Sequence, residues 1–121
     1  MKHTLFVYGT LKRGFHNHVC LGDNATYLGE AVLQNYQMFH LGGFPAIAKG
    51  EGEVIGEVYE IDDASFKRCD RLEGYPSFYN RSQVEVIYDN DAGEEREMTA
   101  WVYHFDKAPK SRLIKDGIWR K

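Results

Sequence analysis

The sequence contains little cysteine and little proline, and it has no long apolar segment. Its two cysteines, Cys20 and Cys69, are too few for a small fold that is built on disulfide bonds. No apolar run approaches the roughly 20 residues that a membrane-spanning helix needs. The brief apolar stretch before Gly9 is also too short for the core of a signal peptide. These absences predict a reduced, soluble, cytoplasmic protein with no membrane partner.

The sequence also lacks the residue clusters that hold metals and nucleotides. His16 and His18 lie close together, but no cluster of Cys, Asp or Glu with metal-ligand spacing accompanies them. No glycine-rich nucleotide loop precedes a predicted helix. We therefore predict no metal and no cofactor.

The charge of the chain is slightly acidic and unevenly distributed. The formal net charge is −3, which provides no general attraction to nucleic acid, and we predict no nucleic-acid partner. Residues 107–121 nevertheless contain six basic residues and one acidic residue, so this tail is basic and the remainder is acidic. The tail is either a solvated surface or a segment that folds back and attracts anionic substrates.

The length of 121 residues predicts a single domain over residues 1–121. Short apolar runs between glycines predict strands, at residues 3–8, 26–39 (one strand or two, interrupted near Gly29), 54–61, 81–88 and 98–105. The last two form a hairpin around a turn at residues 89–93, and Gly56 marks a bulge or a close backbone approach. The fold class that this pattern predicts is α+β, a small mixed β-barrel with flanking short helices.

One helix is predicted between the third and fourth of these strands, over residues 62–72. Two aspartates at its start offer an N-cap, and Gly74 is well placed to end it. Phe66, Cys69 and Leu72 share one helical face at this spacing. We therefore expect Cys69 to be a small core residue.

Glu73 is the strongest catalytic candidate. It falls in the last turn of the predicted helix, where the partial negative charge of the helix end disfavours a carboxylate. We expect its pKa to lie above the ordinary value near 4.3, which suits proton transfer at neutral pH. On position alone, a solvated surface glutamate with no role is the alternative.

The opening loop is the second candidate. An apolar run breaks off at Gly9 and enters a polar loop that contains a further glycine, Gly14. Loops that leave a strand in this way present backbone N–H groups, which hold a carboxylate or an oxyanion. A plain exit from strand to turn is the alternative.

The same loop carries a resemblance to a known family. Tyr-Gly-Thr-Leu-Lys-Arg-Gly at residues 8–14 resembles the substrate loop of the gamma-glutamylcyclotransferase superfamily, in its gamma-glutamylamine cyclotransferase-like (AIG2-like) branch. Further matches follow in the family's order and spacing, at residues 17–18, 35–39, 43–46, 56–61, 70–75 and 114–119. The matches extend from residue 5 to residue 119, so the resemblance covers nearly the whole chain.

The resemblance implies roles for particular residues. Glu73 aligns with the family's general acid/base, and the loop amides with the Thr10 hydroxyl would bind the α-carboxylate of a γ-glutamyl group. The substrate-binding residues implied in this way are Tyr8, Gly9, Thr10, Leu11, Tyr79 and Tyr103. For Tyr79 and Tyr103 a place in the core is the alternative, since the chain has eight tyrosines to accommodate.

The function that the resemblance implies is cyclisation of a γ-glutamyl amine to 5-oxoproline with release of the free amine. The leaving group would be held by residues 43–46, residues 75–78 and the C-terminal segment. A non-enzymatic module that binds a small molecule or a partner on the same fold is the alternative, and it would not need Glu73. Nucleic-acid binding through the basic tail is a third possibility, which the acidic remainder disfavours.

Overall fold

The computed structural model describes residues 1–120. These residues form six strands, one α-helix and one short 3₁₀ helix. The strands are β1 (Lys2–Val7), β2 (Thr26–His40), β3 (Pro45–Asp62), β4 (Asn80–Asp89), β5 (Glu95–His104) and β6 (Arg112–Ile114); the α-helix is α1 (Asp63–Glu73) and the 3₁₀ helix is His18–Leu21.

The strands form a mixed, barrel-like sheet. They are ordered β3-β1-β5-β4-β2-β6, and β2 also pairs with β3, so five strands close into a ring and β6 lies along the end of β2. The contact between β1 and β5 is parallel, whereas the other pairs are antiparallel. The ring is irregular, because β2 meets β4 through the single pair Val32 and Ile87. The predicted α+β fold with a small mixed barrel is confirmed.

The second half of strand β1 is buried on both faces. Phe6 packs in one apolar cluster, while Leu5 and Val7 pack in a second one together with Phe66 and Cys69 of α1. This division follows from the alternation of side chains along a strand. The loop that follows β1 therefore leaves the centre of the molecule, between the two clusters.

Helix α1 begins and ends where the sequence predicted. The Asp62 side chain accepts a hydrogen bond from the Ser65 amide at 2.8 Å, and Gly74 closes the helix in the left-handed conformation. Cys69 is buried as expected and Phe66 is buried beside it, but Leu72, at the same spacing, is 42% exposed. A step of three residues turns the side chain about 60° from its starting direction, which takes Leu72 out of the core.

The central strands are longer than their sequence signals. β2 continues through Gly29 as one strand with a register shift there, and β3 begins at Pro45, well before residue 54. The close approach expected at Gly56 is confirmed, because a Cβ atom there would lie 2.3 Å from the Val7 carbonyl oxygen. Within the described chain, no helix combines the length and the apolar character that a membrane crossing requires.

Candidate active site

A cavity of about 230 Å³ lies at the end of β1. Its wall is built from the loop after β1, the turn between β2 and β3, the end of α1 with the segment that follows it, and β5. It contains all seven residues that the sequence singled out, namely Tyr8, Gly9, Thr10, Leu11, Glu73, Tyr79 and Tyr103. The sheet and the helix thus bring together residues that are up to 95 positions apart.

The loop after β1 presents three consecutive backbone donors that have no acceptor in the part of the chain that the structure describes. The Gly9 and Thr10 carbonyls accept from the Lys12 and Asn17 amides at 3.0 and 3.1 Å. In contrast, the N–H groups of Gly9, Thr10 and Leu11 donate to no acceptor among residues 1–120. The loop is therefore fixed through its carbonyl groups, while its donors remain available to an anion.

Two further contacts shape this loop. The Asn17 side-chain amide donates to the Thr10 hydroxyl at 2.9 Å, so Asn17 acts as a loop-former and makes no side-chain cap to the 3₁₀ helix. A Cβ atom at Gly9 would lie 2.8 Å from Cγ of Pro45. Only glycine therefore lets the end of β1 approach the turn before β3 so closely.

Glu73 ends α1 with its carboxylate half-buried in the cavity wall. This carboxylate forms no hydrogen bond and no ion pair with any other residue that the structure describes. Burial raises the pKa of Glu73 to about 7. The upward direction matches the sequence-based expectation, but its cause is the loss of solvent rather than the charge of the helix end.

This burial predicts a difference in stability between the wild type and Glu73→Gln. Between the ordinary pKa of 4.5 and about 7, the unfolded chain ionises Glu73 while the folded chain keeps it protonated, so the wild type loses stability as the pH rises. The loss reaches up to about 3 kcal/mol above this range. The glutamine in Glu73→Gln does not ionise, so this variant does not lose stability in this way. Urea unfolding at about pH 4 and pH 8.5 should show that the free energy of unfolding of the variant, relative to the wild type, is larger at the higher pH. Parallel pH dependences of the two proteins would contradict the buried position of Glu73.

The three predicted tyrosines line the cavity and also belong to the apolar clusters. Their hydroxyls donate within the protein: Tyr8 to the Tyr103 carbonyl at 2.7 Å, Tyr79 to the Pro45 carbonyl at 2.6 Å, and Tyr103 to Oδ1 of Asp70 at 2.7 Å. Burial raises the pKa of all three phenols. The three side chains are therefore neutral at physiological pH. Their hydroxyl protons are already donated within the protein, so toward a ligand their oxygens act only as hydrogen-bond acceptors.

Sequence reasoning missed the support behind Tyr103. Asp70, which accepts from Tyr103, also pairs with Nε of Arg81 at 2.9 Å. The Arg81 guanidinium lies over the rings of Phe66, Tyr75 and Trp101, at 4.4 to 4.5 Å from their centroids. No pattern within one element indicates this support, because Asp70, Tyr103 and Arg81 lie on α1, β5 and β4.

The expected leaving-group segments are partly at the site. Gly43, Phe44, Pro45 and Phe78 line the cavity. The C-terminal segment instead lines a neighbouring groove, through Trp119 and Arg120. Arg120 pairs with Asp116 at 2.8 Å, and the other basic residues of the tail up to it are exposed; Lys121 lies outside the described residues.

The chain offers no ready ligand set for a metal in the part that is described. There, no three side chains of His, Cys, Asp or Glu are grouped closely enough to hold a metal ion. The Cys69 thiol is buried, and burial raises its pKa to about 12, so it is unreactive as a thiolate. Glu73 is the one carboxylate among the described residues that line the cavity.

Comparisons with known proteins bear on this cavity. A family model described as "Gamma-glutamyl cyclotransferase, AIG2-like" matches residues 5–121. The chain is 33% identical over 116 residues to the gamma-glutamylcyclotransferase family protein YtfP of Escherichia coli strain K12. The aligned region covers 95% of this chain and 94% of that protein. Its fold is similar to the crystal structure of an AIG2-like protein from Mus musculus, with a TM-score of 0.84, 28% identity and coverage of 98% and 88%. It also resembles an uncharacterized protein from Pyrococcus horikoshii, with a TM-score of 0.73, 31% identity and coverage of 96% and 88%.

Proposed function

This chain belongs to the AIG2-like gamma-glutamyl cyclotransferase family, and we propose that it cyclises the γ-glutamyl group of a γ-glutamyl amine to 5-oxoproline and releases the free amine. One observation carries the proposal. The half-buried carboxylate of Glu73 shares a small cavity with three backbone amide donors, and neither the carboxylate nor the donors have a partner within residues 1–120. The cavity thus offers one group that moves protons and one that holds an anion.

The loop after β1 holds the substrate in this proposal. The N–H groups of Gly9, Thr10 and Leu11 bind the α-carboxylate, and the Thr10 hydroxyl assists because its oxygen already accepts from Asn17 and its proton remains to be donated. Holding this end places the α-amine of the substrate close to its own γ-carbonyl. The nucleophile and the electrophile belong to one molecule, so orientation supplies much of the rate.

Glu73 moves the proton. As a carboxylate it takes a proton from the α-ammonium, and the free amine then attacks the γ-carbonyl carbon and forms the five-membered ring. The bond from this carbon to the leaving nitrogen breaks, and Glu73 returns the proton to that nitrogen. Glu73, again a carboxylate, then takes the remaining extra proton from the ring nitrogen and passes it to the released amine, which departs as an ammonium ion. The products are 5-oxoproline and an amine; no water is consumed and no group is oxidised or reduced. A pKa of about 7 suits both halves of this transfer.

The direct test is a panel of γ-glutamyl compounds assayed for 5-oxoproline by chromatography. The proposal expects 5-oxoproline and free amine in equal amounts from at least one γ-glutamyl amide, and no product from the matching α-glutamyl amide. If γ-glutamyl compounds bind but are never cyclised, the non-enzymatic binding module is the better account. If none of them binds, both assignments fail.

The pKa of Glu73 also predicts how the reaction depends on pH. The base must be ionised, so kcat/KM should rise with pH and level off above an apparent pKa near 7. The α-ammonium of the substrate is titrated separately by NMR, so that its own pKa is not mistaken for that of the enzyme. A profile whose only inflection follows the substrate amine would argue against Glu73 as the base.

A further inference from the structure

Three large apolar side chains are exposed where the cavity opens to solvent. Phe44, Leu72 and Phe78 all line the cavity, and they are 37%, 42% and 52% exposed. They come from the turn before β3, the last turn of α1 and the segment after it. We call these three residues the apolar rim. Single exposed apolar residues are common, but a group of them at one opening indicates a binding surface.

The apolar rim continues the aromatic wall of the cavity. The rings of Phe44 and Phe78 lie 6.0 Å apart between centroids, and the Phe78 ring packs against Tyr79 at 5.0 Å and Phe105 at 5.3 Å. The Phe78 amide donates to the Gly74 carbonyl at 2.8 Å. Phe78 is therefore fixed at the turn that directly follows Glu73, where it both lines the cavity and is exposed to solvent.

The charges around the cavity favour an uncharged occupant at the rim. Among the described residues, Glu73 and His16 are the titratable groups other than tyrosines that line the cavity, and no Lys, Arg or Asp of that set lines it. A basic group, Arg120, lies in the neighbouring groove, but Asp116 already pairs with it. A charged leaving group that extends across the rim would lose solvent without gaining a partner.

We propose that the apolar rim binds the amine half of the substrate and selects γ-glutamyl amides of amines with an alkyl or aromatic chain. This inference rests on the proposed function, because it takes the γ-glutamyl end to lie between the loop and Glu73. The scissile nitrogen then lies next to Glu73, and the chain attached to it leaves the cavity along the surface that Phe44 and Phe78 form together. Selectivity arises from apolar area that the chain and the rim remove from water together.

The experiment compares γ-glutamyl amides that differ only in the amine. The γ-glutamyl amides of ethylamine, n-butylamine and n-hexylamine form the apolar series. Two charged amides have a chain of similar length to the butyl amide: the one formed on one nitrogen of 1,4-diaminobutane carries a positive charge, and the one formed on the nitrogen of 4-aminobutanoic acid carries a negative charge. We expect kcat/KM for 5-oxoproline release to rise about two- to fourfold per added methylene. We expect both charged amides to react at least about tenfold more slowly than the butyl amide.

The variants Phe44→Ala and Phe78→Ala should flatten this dependence on chain length, and Phe78→Leu should restore most of it. Comparing amides within each enzyme separates selectivity from any general loss of activity. Leu113→Ala is the matched control, because Leu113 is 38% exposed and does not line the cavity; it should keep the wild-type dependence.

Three results would overturn the inference. The first is a flat chain-length series in the wild type. The second is a preference for a charged amide, which would place the amine in the groove beside Arg120. The third is self-association that Phe44→Ala or Phe78→Ala abolishes while selectivity is unchanged, which would make the rim a contact between copies. If no amide is cyclised, the proposed function fails. Titration of the same amides as ligands then tests whether the apolar rim binds the amine half: affinity must rise with chain length in the wild type and must not do so in Phe78→Ala.

Discussion

Glu73→Gln is expected to lower the turnover of a γ-glutamyl amide by about 10²-fold or more, the usual contribution of a general acid or base. Gln keeps the shape and the hydrogen-bonding capacity of the side chain but does not exchange a proton near neutral pH. Binding of 5-oxoproline should persist, because its carboxylate is assigned to the loop after β1. Steady-state kinetics and calorimetry with the same protein preparation measure the two quantities.

The controls separate the role of Glu73 from a general effect of lost charge. Glu97→Gln removes an exposed carboxylate on β5 that does not line the cavity, and it should retain wild-type turnover. Glu73→Gln should also unfold no more readily than the wild type. Wild-type turnover by a folded Glu73→Gln protein would refute the catalytic assignment, and the non-enzymatic module would then be the better hypothesis.

The parts of the site that lie close together in the sequence were predictable. The apolar run that stops at Gly9 predicted a strand followed by a loop with available donors, and the cap residues of α1 predicted where Glu73 ends the helix. The family membership that the resemblance implied is confirmed. The roles of Glu73 and of the loop remain predictions, although the structure places them in one cavity.

The pKa of Glu73 shows the limit of local reasoning. The sequence predicted the direction from the helix end, an effect that depends on one element. The larger cause is burial, which depends on how α1, the loop after β1 and the turn before β3 enclose the carboxylate. The burial of this carboxylate depends on how the ring of strands brings these segments together. No sequence pattern within α1 predicts it.

The other omissions have the same origin. Asp70, Tyr103 and Arg81 form one interaction chain, yet they lie on α1, β5 and β4. Strand β6 has three residues and exists because it pairs with the end of β2. Leu72 has the spacing of a core residue, but it faces the cavity opening, where an apolar side chain meets solvent or a ligand. Contacts between distant segments decide each of these cases.

Thr10→Pro is expected to weaken binding of 5-oxoproline by about 10- to 100-fold, the effect of losing one hydrogen bond to a charged group. Proline removes the Thr10 N–H, which donates to no acceptor among the described residues. The contribution of the carboxylate to binding is measured by comparing the affinity for 5-oxoproline with that for 2-pyrrolidinone, which is the same ring without the carboxylate. The wild type should prefer 5-oxoproline, and Thr10→Pro should lose most of this preference while its affinity for 2-pyrrolidinone changes little.

Thr10→Val is the matched variant for this experiment. It removes the hydroxyl that accepts from Asn17 but keeps the backbone N–H, so it should retain most of the preference for 5-oxoproline. Thermal unfolding of both variants shows whether the fixed φ of proline distorts the loop beyond the missing donor. Equal preference in the wild type and in a folded Thr10→Pro protein would show that the carboxylate lies elsewhere. The loop after β1 would then be a simple exit from the strand, and the orientation of the substrate relative to Glu73 would have to be reversed.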